Sequence, residues 1–590
     1  MLGTHQVSMT SLDAMAAGRS DPAIVHQLSR ANRSIQLTLL RAVLDRAGEV
    51  AMGPLPPLDE AWTLLADAHR HAGAAVDRVI THPRTSLWAV KLLRRLNKDE
   101  GGPPLWADLG YLHQLAVASA IRAGYDFRLR VPVWRGAVLF PTLGLADVQS
   151  RREWDFAQAH GERGTVLVRG PAGSVQIPAD YTTDGDGWLG VRVLRADDDC
   201  ALWCDDIDPY REFDGPVPPR RLSVPDMNQW AEILRETWQL LTKHHPTIAA
   251  ELGAGMTTLV PSAHTERFSP FSASHHDAFG AVVMSLPSDP TTFAETLVHE
   301  FQHSKFGVLL KLIDLLEPAA DYDEPRQYAP WRDDPRPANG LLHGFFSFIG
   351  VTAFYRERIA SATGLSARAA QFEFAYRREQ AAQAVATLLS AAVTTAVGRR
   401  FLGTARDQLE AWAADELPPD VRAAAQRANA DHRILWRLRH LRPPSAGVAE
   451  LAHAWLRHRP RPGVRAAAPV LTPVVGAVPH ARLALTRTWL TDPELFDVWR
   501  VEPTVAMAEV TGSTVADLEL VAGATAEAAD RYLDDVLANP ESLTSWTGLA
   551  LATCRPVLLG RPELVLAVHR EIRSIAGVVT NPVRLAEWLG

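Results

Sequence analysis

The chain is poor in cysteine and lysine and has no long apolar stretch. Three cysteines in 590 residues are too few for a disulfide framework, so a cytoplasmic location is the default expectation. Only five lysines accompany 55 arginines, which we attribute to the codon usage of a GC-rich genome. Every apolar run is interrupted by a charge, His or Pro before it reaches the roughly 18 residues of a membrane span, so no membrane protein is predicted.

The N-terminal segment and the net charge argue against further classes of protein. The segment MLGTHQVSMTSLDAMAAGRSD lacks the basic and apolar stretches of a signal peptide, so none is expected. The formal net charge is −8. An acidic chain of this kind is not expected to bind nucleic acids or anionic membranes in general.

The length predicts several packed units, because 590 residues exceed what one hydrophobic core needs. We predict an α+β protein that is mostly α-helical. Its predicted parts are an N-terminal helical domain (1–130), a small antiparallel β region (131–205), a catalytic domain (206–404) and a C-terminal helical domain (405–590).

Hydrophobic periodicity supports these assignments. SIQLTLLRAVLDRAG and SLWAVKLLRRLN carry apolar residues at three- and four-residue spacing, which is typical of helices, and Gly48 and Asn97 mark their ends. Between residues 131 and 205, short alternating runs such as GTVLVRG are separated by Gly, Asp and Pro, as in an antiparallel sheet. The Pro-rich segment RPRPGVRAAAPVLTPVVGAVPH must interrupt the C-terminal helices, because proline breaks a continuous helix.

The segment DPTTFAETLVHEFQHSKFGVLLKLIDLLEP predicts one long helix. Pro290 and the possible N-caps Thr291 and Thr292 mark its start, and Pro318 marks its end. Four apolar residues at helical spacing predict a buried stripe: Phe293, Leu297, Phe301 and Val308.

This helix carries a His-Glu-x-x-His motif at His299, Glu300 and His303. Residues at i and i+4 lie one turn apart on the same face, so both imidazoles can reach a single cation. Glu300 points to the adjacent face, where it can contact a metal-bound water or orient a ligand. With 21 histidines in 590 residues, the motif is expected by chance only about 0.04 times. We therefore predict a metal site.

A third protein ligand is needed, and the sequence offers more than one. His343 is favoured, since it lies in the first turn of a helix predicted to start near Asn339 or Gly340. Glu357 is the rival, but fourteen residues span about 21 Å along a helix, so it and His343 cannot bind the same ion. The other candidates are carboxylates of the preceding loop: Asp323, Glu324, Asp333 and Asp334.

Two arginines flank the acidic pair Asp333–Asp334 directly before this helix. Arg332 and Arg336 could pair locally with the aspartates. The alternative is that they grip the carboxylate of a dicarboxylate co-substrate, for which the guanidinium fork is well suited.

A polar segment upstream of the motif is a candidate for substrate binding. Ser272, Ser274, His275 and His276 are predicted on a loop and strand edge. An edge strand beside a metallopeptidase-like helix often holds a peptide in extended form. Most residues of this segment are expected to be structural or solvated, and Ser272, Ser274 and His275 are the candidates for contact with substrate.

The run FSAS…FGAVVMSLP…LVHEFQHSK…YAPWRDDPRPANGLLHG resembles the HEXXH motif-containing peptide modification protein family, closely over residues 265–360. Such proteins occur in pathways that make ribosomally synthesised peptide natural products. They look like repurposed relatives of the zincin metallopeptidases. The resemblance implies a zincin-like core and an oxygenase that uses Fe(II), 2-oxoglutarate and O₂ to hydroxylate a side-chain Cβ of a precursor peptide.

The resemblance also implies roles for particular residues. It places iron on His299, His303 and His343, with Glu300 close to the ion, and it assigns Arg336 with Arg332 to the far carboxylate of 2-oxoglutarate. Three imidazoles depart from the two-histidine, one-carboxylate set that is usual for non-haem iron, and imidazole alone does not select iron over zinc.

Two other functions remain open at this point. One is a zinc peptidase in which Glu300 activates water. The other is a helical scaffold with a structural metal, but structural zinc sites are usually rich in Cys, and the motif has no Cys nearby. Cys200 and Cys204 are interpreted as packed hydrophobic residues at a strand end. The partner expected is a precursor peptide, and the C-terminal helices could also form a homodimer.

Overall fold

The computed structural model describes nine stretches of the chain: residues 5–19, 21–48, 50–98, 101–211, 217–262, 271–318, 326–391, 393–463 and 468–590. They form two compact units. The first comprises residues 1–11 and 20–313, and the second comprises residues 12–19 and 314–590. The predicted mostly helical α+β class is confirmed.

The first unit contains the HExxH helix and most of the strands. The first helix of the chain, α1 (Met9–Ala16), belongs mainly to the second unit. The elements of the first unit are α2 (Pro22–Ala47), α3 (Leu58–Ile80), α4 (Pro83–Lys98), α5 (Leu105–Leu109), α6 (Tyr111–Ala123), β1 (Phe127–Trp134), β2 (Ala137–Phe140), β3 (Gly144–Asp147), β4 (Trp154–Glu162), β5 (Thr165–Arg169), β6 (Ser174–Ile177), β7 (Trp188–Gly190), β8 (Arg192–Arg195), β9 (Ala201–Cys204), α7 (Val224–His244), α8 (Pro246–Gly255), β10 (Thr258–Pro261), β11 (Ser272–Ala273), β12 (Ala281–Met284) and α9 (Pro290–Leu309).

The second unit is almost entirely helical. Its elements are α10 (Ala338–Ser361), α11 (Gly364–Ser390), α12 (Ala396–Ala413), α13 (Pro419–His440), β13 (Leu441–Arg442), α14 (Ser445–Leu456), β14 (Val470–Leu471), α15 (Ala481–Thr491), α16 (Pro493–Val501), α17 (Pro503–Glu509), α18 (Val515–Ala522), α19 (Thr525–Ala538), α20 (Leu543–Thr553), α21 (Pro556–Gly560), α22 (Pro562–Ala576) and α23 (Pro582–Leu589).

An antiparallel seven-stranded sheet forms over much of the region predicted to be β. Its order is β6-β5-β4-β1-β2-β3-β7, and α6 packs against β1. The strands β8 and β9 pair antiparallel with each other but belong to a different sheet, because β9 also pairs in parallel with β10. Periodicity fixes which face of a strand is buried but not which strand it pairs with, so the sequence pattern missed this division.

The second sheet supports the HExxH helix. Its order is β11-β12-β10-β9-β8, with β12, β10 and β9 parallel and the short edge strand β11 antiparallel to β12. The helix α9 lies against β11 and β12 and also contacts α7 and α8. Cys200 and Cys204 are buried at the ends of β9, as predicted, and burial raises the pKa of the Cys200 thiol to about 12.

The helix α9 begins at Pro290, as predicted, but its N-cap and its end differ from the prediction. The N-cap is Asp289, whose carboxylate accepts the backbone N–H groups of Thr291 and Thr292, so neither threonine is the cap. The helix ends at Leu309 rather than at Pro318. The predicted buried stripe is confirmed for all four residues: Phe293, Leu297, Phe301 and Val308.

The early end of α9 has a tertiary cause. Beyond the helix the chain turns, Leu315 is buried, and Leu316 pairs with Thr394 in an antiparallel bridge. One apolar residue after Leu309 is thus buried and another is paired outside the helix, which periodicity alone cannot reveal.

The helix α10 begins one residue earlier than expected, at Ala338, so His343 lies in its second turn rather than its first. Three phenylalanines of this helix are buried: Phe345, Phe346 and Phe348. The predicted interruption of the C-terminal helices is also present between α14 and α15. None of the helices in the described residues is long and apolar enough to cross a membrane.

Candidate metal centre

The two imidazoles of the motif meet on one face of α9. Their Nε2 atoms lie 3.2 Å apart, and the ring centroids are 4.9 Å apart with the planes at 79°. Two nitrogens at this separation, each about 2.0–2.1 Å from an ion, would subtend roughly 100° at that ion. This angle lies between octahedral and tetrahedral geometry, so the pair His299–His303 fits a single metal ion.

Both imidazoles are half-buried, and this affects their charge. Burial, helped by the neighbouring His299 ring and opposed by Glu300, lowers the pKa of His303 to about 4. At neutral pH His303 is therefore unprotonated, which is the form that binds a metal.

Glu300 accepts hydrogen bonds from two hydroxyl groups, one on the edge strand β11 and one directly after it. Its side chain is buried, Ser272 Oγ donates to Oε1 at 2.7 Å, and Ser274 Oγ donates to Oε2 at 2.6 Å. Hydrogen bonds to an ionised carboxylate are among the strong ones. Both carboxylate oxygens are thus oriented towards β11. In the structure the two serines form hydrogen bonds with Glu300. Contact between the serines and a substrate stays a prediction.

A tight turn follows β11 and packs on α9. Asp277 accepts a hydrogen bond from Lys311 Nζ at 2.7 Å and lies 3.2 Å from His276 Nε2. Burial would raise the pKa of Asp277, but the hydrogen bonds from these two partners outweigh it and hold that pKa below its usual value. The carbonyl of His276 approaches Gly307, where a Cβ would lie 2.7 Å from the oxygen. Only glycine allows this approach.

His275 belongs to the same turn and is half-buried. Its Nδ1 accepts the backbone N–H of Asp277 at 3.1 Å, and its ring stacks on His276 with centroids 4.4 Å apart. The predicted contact between His275 and substrate stays a prediction.

A buried ion pair behind the motif was missed by the sequence reasoning. Lys305 Nζ lies 2.7 Å from Glu251 Oε1, and the two side chains are only 2% and 5% exposed. The pair joins α9 to α8. A signal was available, since Lys305 is one of only five lysines and follows the motif on a largely buried helix, but its partner 54 residues earlier could not be read from the pattern.

The proposed third ligands lie in other parts of the chain. His343 is half-buried in α10 and Glu357 is exposed on the same helix. His343 belongs to the second unit, whereas His299 and His303 belong to the first. The three-histidine set stays a prediction. Asp323 and Glu324 lie outside the described residues.

The arginines of the loop pair locally. Arg332 Nε lies 3.1 Å from Asp334 Oδ1, and Arg336 Nε lies 2.9 Å from Asp334 Oδ2. Backbone hydrogen bonds between Gln327 and Arg336 close the loop. Burial and the nearby Arg332 guanidinium lower the pKa of Arg336. Local pairing with Asp334 is confirmed, and 2-oxoglutarate binding by the two arginines stays a prediction.

Asp333 has different partners from Asp334. Its Oδ1 lies 2.9 Å from His480 Nε2, and its Oδ2 accepts the backbone N–H of Val478 at 3.0 Å. One ring nitrogen of His432, one ring nitrogen of His480 and one carboxylate oxygen of Asp333 lie within 4.8 Å of one another. The sequence reasoning considered Asp333 only as a third ligand for the HExxH motif and missed this group.

Comparisons with known proteins do not identify the chain. No family model matches it, and no curated protein is significantly similar to it.

Proposed function

We propose that this chain is a cytoplasmic Fe(II)- and 2-oxoglutarate-dependent oxygenase that hydroxylates a side-chain Cβ of a ribosomally synthesised precursor peptide. The observation that carries the proposal is the pair of imidazoles 3.2 Å apart, with the intervening glutamate bound through both oxygens to serines. A carboxylate held in this way is suited to fixing the geometry of the site.

The metal would be held by His299 and His303, with His343 proposed as the third ligand. Imidazole binds Fe(II) and Zn(II) alike, so this donor set fits iron without requiring it. Bound iron would supply activation of O₂, coupled to oxidation of 2-oxoglutarate to succinate and CO₂.

The residues of the chain would then orient the reactants. Glu300, fixed by Ser272 and Ser274, would hold the edge strand β11 in register with the motif on α9. A peptide in extended form can add to such an edge through main-chain hydrogen bonds. This arrangement of edge strand and HExxH helix is also why we propose a zincin-like core.

The loop arginines would bind the far carboxylate of 2-oxoglutarate. The side chains of Arg332 and Arg336 are 51% and 35% exposed in their pairs with Asp334. Ion pairs at such exposure contribute little free energy, so exchange of Asp334 for the carboxylate of a ligand costs little.

A zinc-dependent peptidase is the second candidate. The observation that favours it is Glu300 itself, which lies between the two histidines in the order that zinc peptidases use for a general base. The two serine hydrogen bonds count against this role, because they orient both oxygens of Glu300 towards β11.

The test is turnover of the full chain with one metal at a time. Metal-free protein is reconstituted anaerobically with Fe(II), then given 2-oxoglutarate, O₂ and the peptides encoded by short reading frames beside its gene. We expect succinate and a peptide that has gained one oxygen atom, and we expect neither with Zn(II). Peptide fragments formed with Zn(II), and no succinate with Fe(II), would favour the peptidase and contradict the oxygenase.

A further inference from the structure

Three metal-binding side chains come together within the second unit. One ring nitrogen each of His432 and His480 and one carboxylate oxygen of Asp333 lie within 4.8 Å of one another. They come from α13, from the N-cap of α15 and from the loop before α10. We propose that these residues bind a divalent transition-metal ion, in addition to the ion at the HExxH motif. The inference does not depend on the proposed oxygenase activity.

The distances suit one ion. His480 Nε2 and Asp333 Oδ1 are 2.9 Å apart, and ligand atoms about 2.0–2.2 Å from a metal at this separation subtend roughly a right angle. The rings of His432 and His480 are nearly parallel, at 21°, with centroids 5.4 Å apart. This stacking keeps the second imidazole within reach of the same ion.

Two of these residues also form hydrogen bonds through a second side-chain atom. Tyr328 Oη lies 2.9 Å from His432 Nδ1, so this nitrogen already has a partner and Nε2 is the proposed ligand atom of that ring. The backbone N–H of Val478 donates to Asp333 Oδ2 at 3.0 Å, which leaves Oδ1 facing His480. Metal-binding imidazoles and carboxylates typically have such partners, which fix ring orientation and tautomer.

The backbone of Asp333 is fixed as well. His440 Nε2 lies 2.6 Å from the carbonyl oxygen of Asp333, and His440 Nδ1 accepts the backbone N–H of Val474 at 3.1 Å. Since Nδ1 is an acceptor, Nε2 carries the hydrogen and donates it to that carbonyl. Asp333 is therefore held through its main chain and its side chain before any ion binds.

An ion could enter from solvent. The side chains of His480 and Asp333 are 34% and 20% exposed, whereas His432 is buried. Burial lowers the pKa of His432 to about 3, so this imidazole is neutral at physiological pH and can bind a metal without first losing a proton. Two imidazoles and one carboxylate suit Zn²⁺, Fe²⁺ and Co²⁺. Three protein ligands leave further positions for water.

The competing explanation is a hydrogen-bonded clamp without metal. The same contacts attach the loop at residues 326–337, which carries Arg332 and Arg336, to α13 and α15. An ion would strengthen this attachment, so both explanations predict a fixed loop. Only the metal site predicts ion binding that requires His480.

The test removes the HExxH ligands first. The full-length double variant His299→Ala/His303→Ala is freed of metal by chelation and titrated with Co²⁺, followed by visible ligand-field absorption and by calorimetry. We expect this variant to bind a single Co²⁺ ion per chain, because His432, His480 and Asp333 remain. The readout is metal binding alone, so it is independent of enzymatic turnover.

Further substitutions in that background locate the ion. His480→Ala should abolish Co²⁺ binding, and Asp333→Asn, which keeps the shape of the side chain, should weaken it strongly. Tyr328→Phe should weaken binding about tenfold, the lower end of what loss of such a partner costs. His453→Ala is the matched control, since this histidine is exposed on α14, and it should bind Co²⁺ unchanged. Circular dichroism verifies that each variant is folded.

Two results would overturn the proposal. One is that the His299→Ala/His303→Ala variant binds no Co²⁺. The other is that folded His480→Ala and Asp333→Asn variants bind Co²⁺ with unchanged affinity. Either result would leave the cluster as a hydrogen-bonded clamp only.

Discussion

The two groups of histidines in this chain are assembled in different ways. His299 and His303 lie together because a helix turns once every 3.6 residues, so a four-residue spacing puts both rings on one face. His432 and His480 sit on different helical elements and meet Asp333 through tertiary packing, 147 residues apart in the case of His480. The first group needs only that α9 is helical. The second needs three elements to keep their packing.

The carboxylates of the two groups also differ. Glu300 is buried and uses both oxygens to accept serine hydroxyls, whereas Asp333 keeps one oxygen beside the Nε2 of His480. We infer that Glu300 positions the motif without binding its ion and that Asp333 is available as a ligand.

The largest expected effect comes from removing a ligand of the local pair. His303→Ala should abolish metal binding at the motif and reduce turnover about a thousandfold or more, because it removes one of the three imidazoles proposed to hold the ion. Turnover and metal content per chain are the measurements. The exposed His453→Ala serves as control and should retain both. Wild-type turnover in His303→Ala would show that the motif is not the metal centre.

The next largest effect is expected on stability, from breaking the buried ion pair between Lys305 and Glu251. Lys305→Met leaves Glu251 buried without its partner and should lower the free energy of unfolding by about 3–5 kcal/mol. Urea denaturation measures this. Removing both charges, in Lys305→Met/Glu251→Leu, should restore much of the loss. For comparison, Arg332→Ala breaks an exposed pair and should cost under about 1 kcal/mol. Equal losses for Lys305→Met and Arg332→Ala would contradict the account.

A smaller effect is expected at the carboxylate of the motif. Glu300→Gln should reduce turnover less than His299→Ala, because the amide still accepts a hydrogen bond from one serine. Ser272→Ala removes one hydrogen bond to a charged group, worth about 1.5–3 kcal/mol, and should lower turnover about tenfold. Rates measured at saturating 2-oxoglutarate test both. If Glu300→Gln loses turnover as completely as His299→Ala does, the result would favour the peptidase.

A further expected effect is a shared dependence on pH. Burial lowers the pKa of His303 to about 4 and that of His432 to about 3, from about 6.5 in the unfolded chain. Between these values the unfolded chain binds more protons, so the free energy of unfolding should fall as pH decreases from about 6.5. Burial also lowers the pKa of His82 and of His113, which adds to the same pH dependence of the free energy of unfolding.

Denaturation of the metal-free protein at pH 7 and pH 5 measures this dependence. His303→Gln and His432→Gln should each make the free energy of unfolding depend less on pH, since each removes one buried imidazole. An unchanged pH dependence in both variants would show that neither imidazole is kept neutral by the fold.

The motif is read directly from the sequence, and local patterns were enough to predict that it lies on a helix. The spacing of apolar residues predicted the buried stripe of α9 and the start of α10 to within two residues. The pattern failed for the N-cap of α9, which is Asp289 rather than a threonine, and for its end, because the helix stops at Leu309 and Leu315 is buried outside it. Composition at a helix end does not reveal tertiary partners.

Contacts between distant segments could not be predicted. Ser272 and Ser274 were expected near a substrate, and the structure places them on Glu300, because the register of β11 decides which side chains meet the helix. The Lys305–Glu251 and His480–Asp333 contacts join residues 54 and 147 positions apart. No periodicity in the sequence links them.

The most direct test of the central claim is anaerobic addition of 2-oxoglutarate to the Fe(II)-loaded full chain. Chelation of the metal by the keto acid gives a visible charge-transfer absorption. The account predicts this absorption in the wild-type protein and its loss in His303→Ala. No absorption in the wild type, or the same absorption in both proteins, would contradict it.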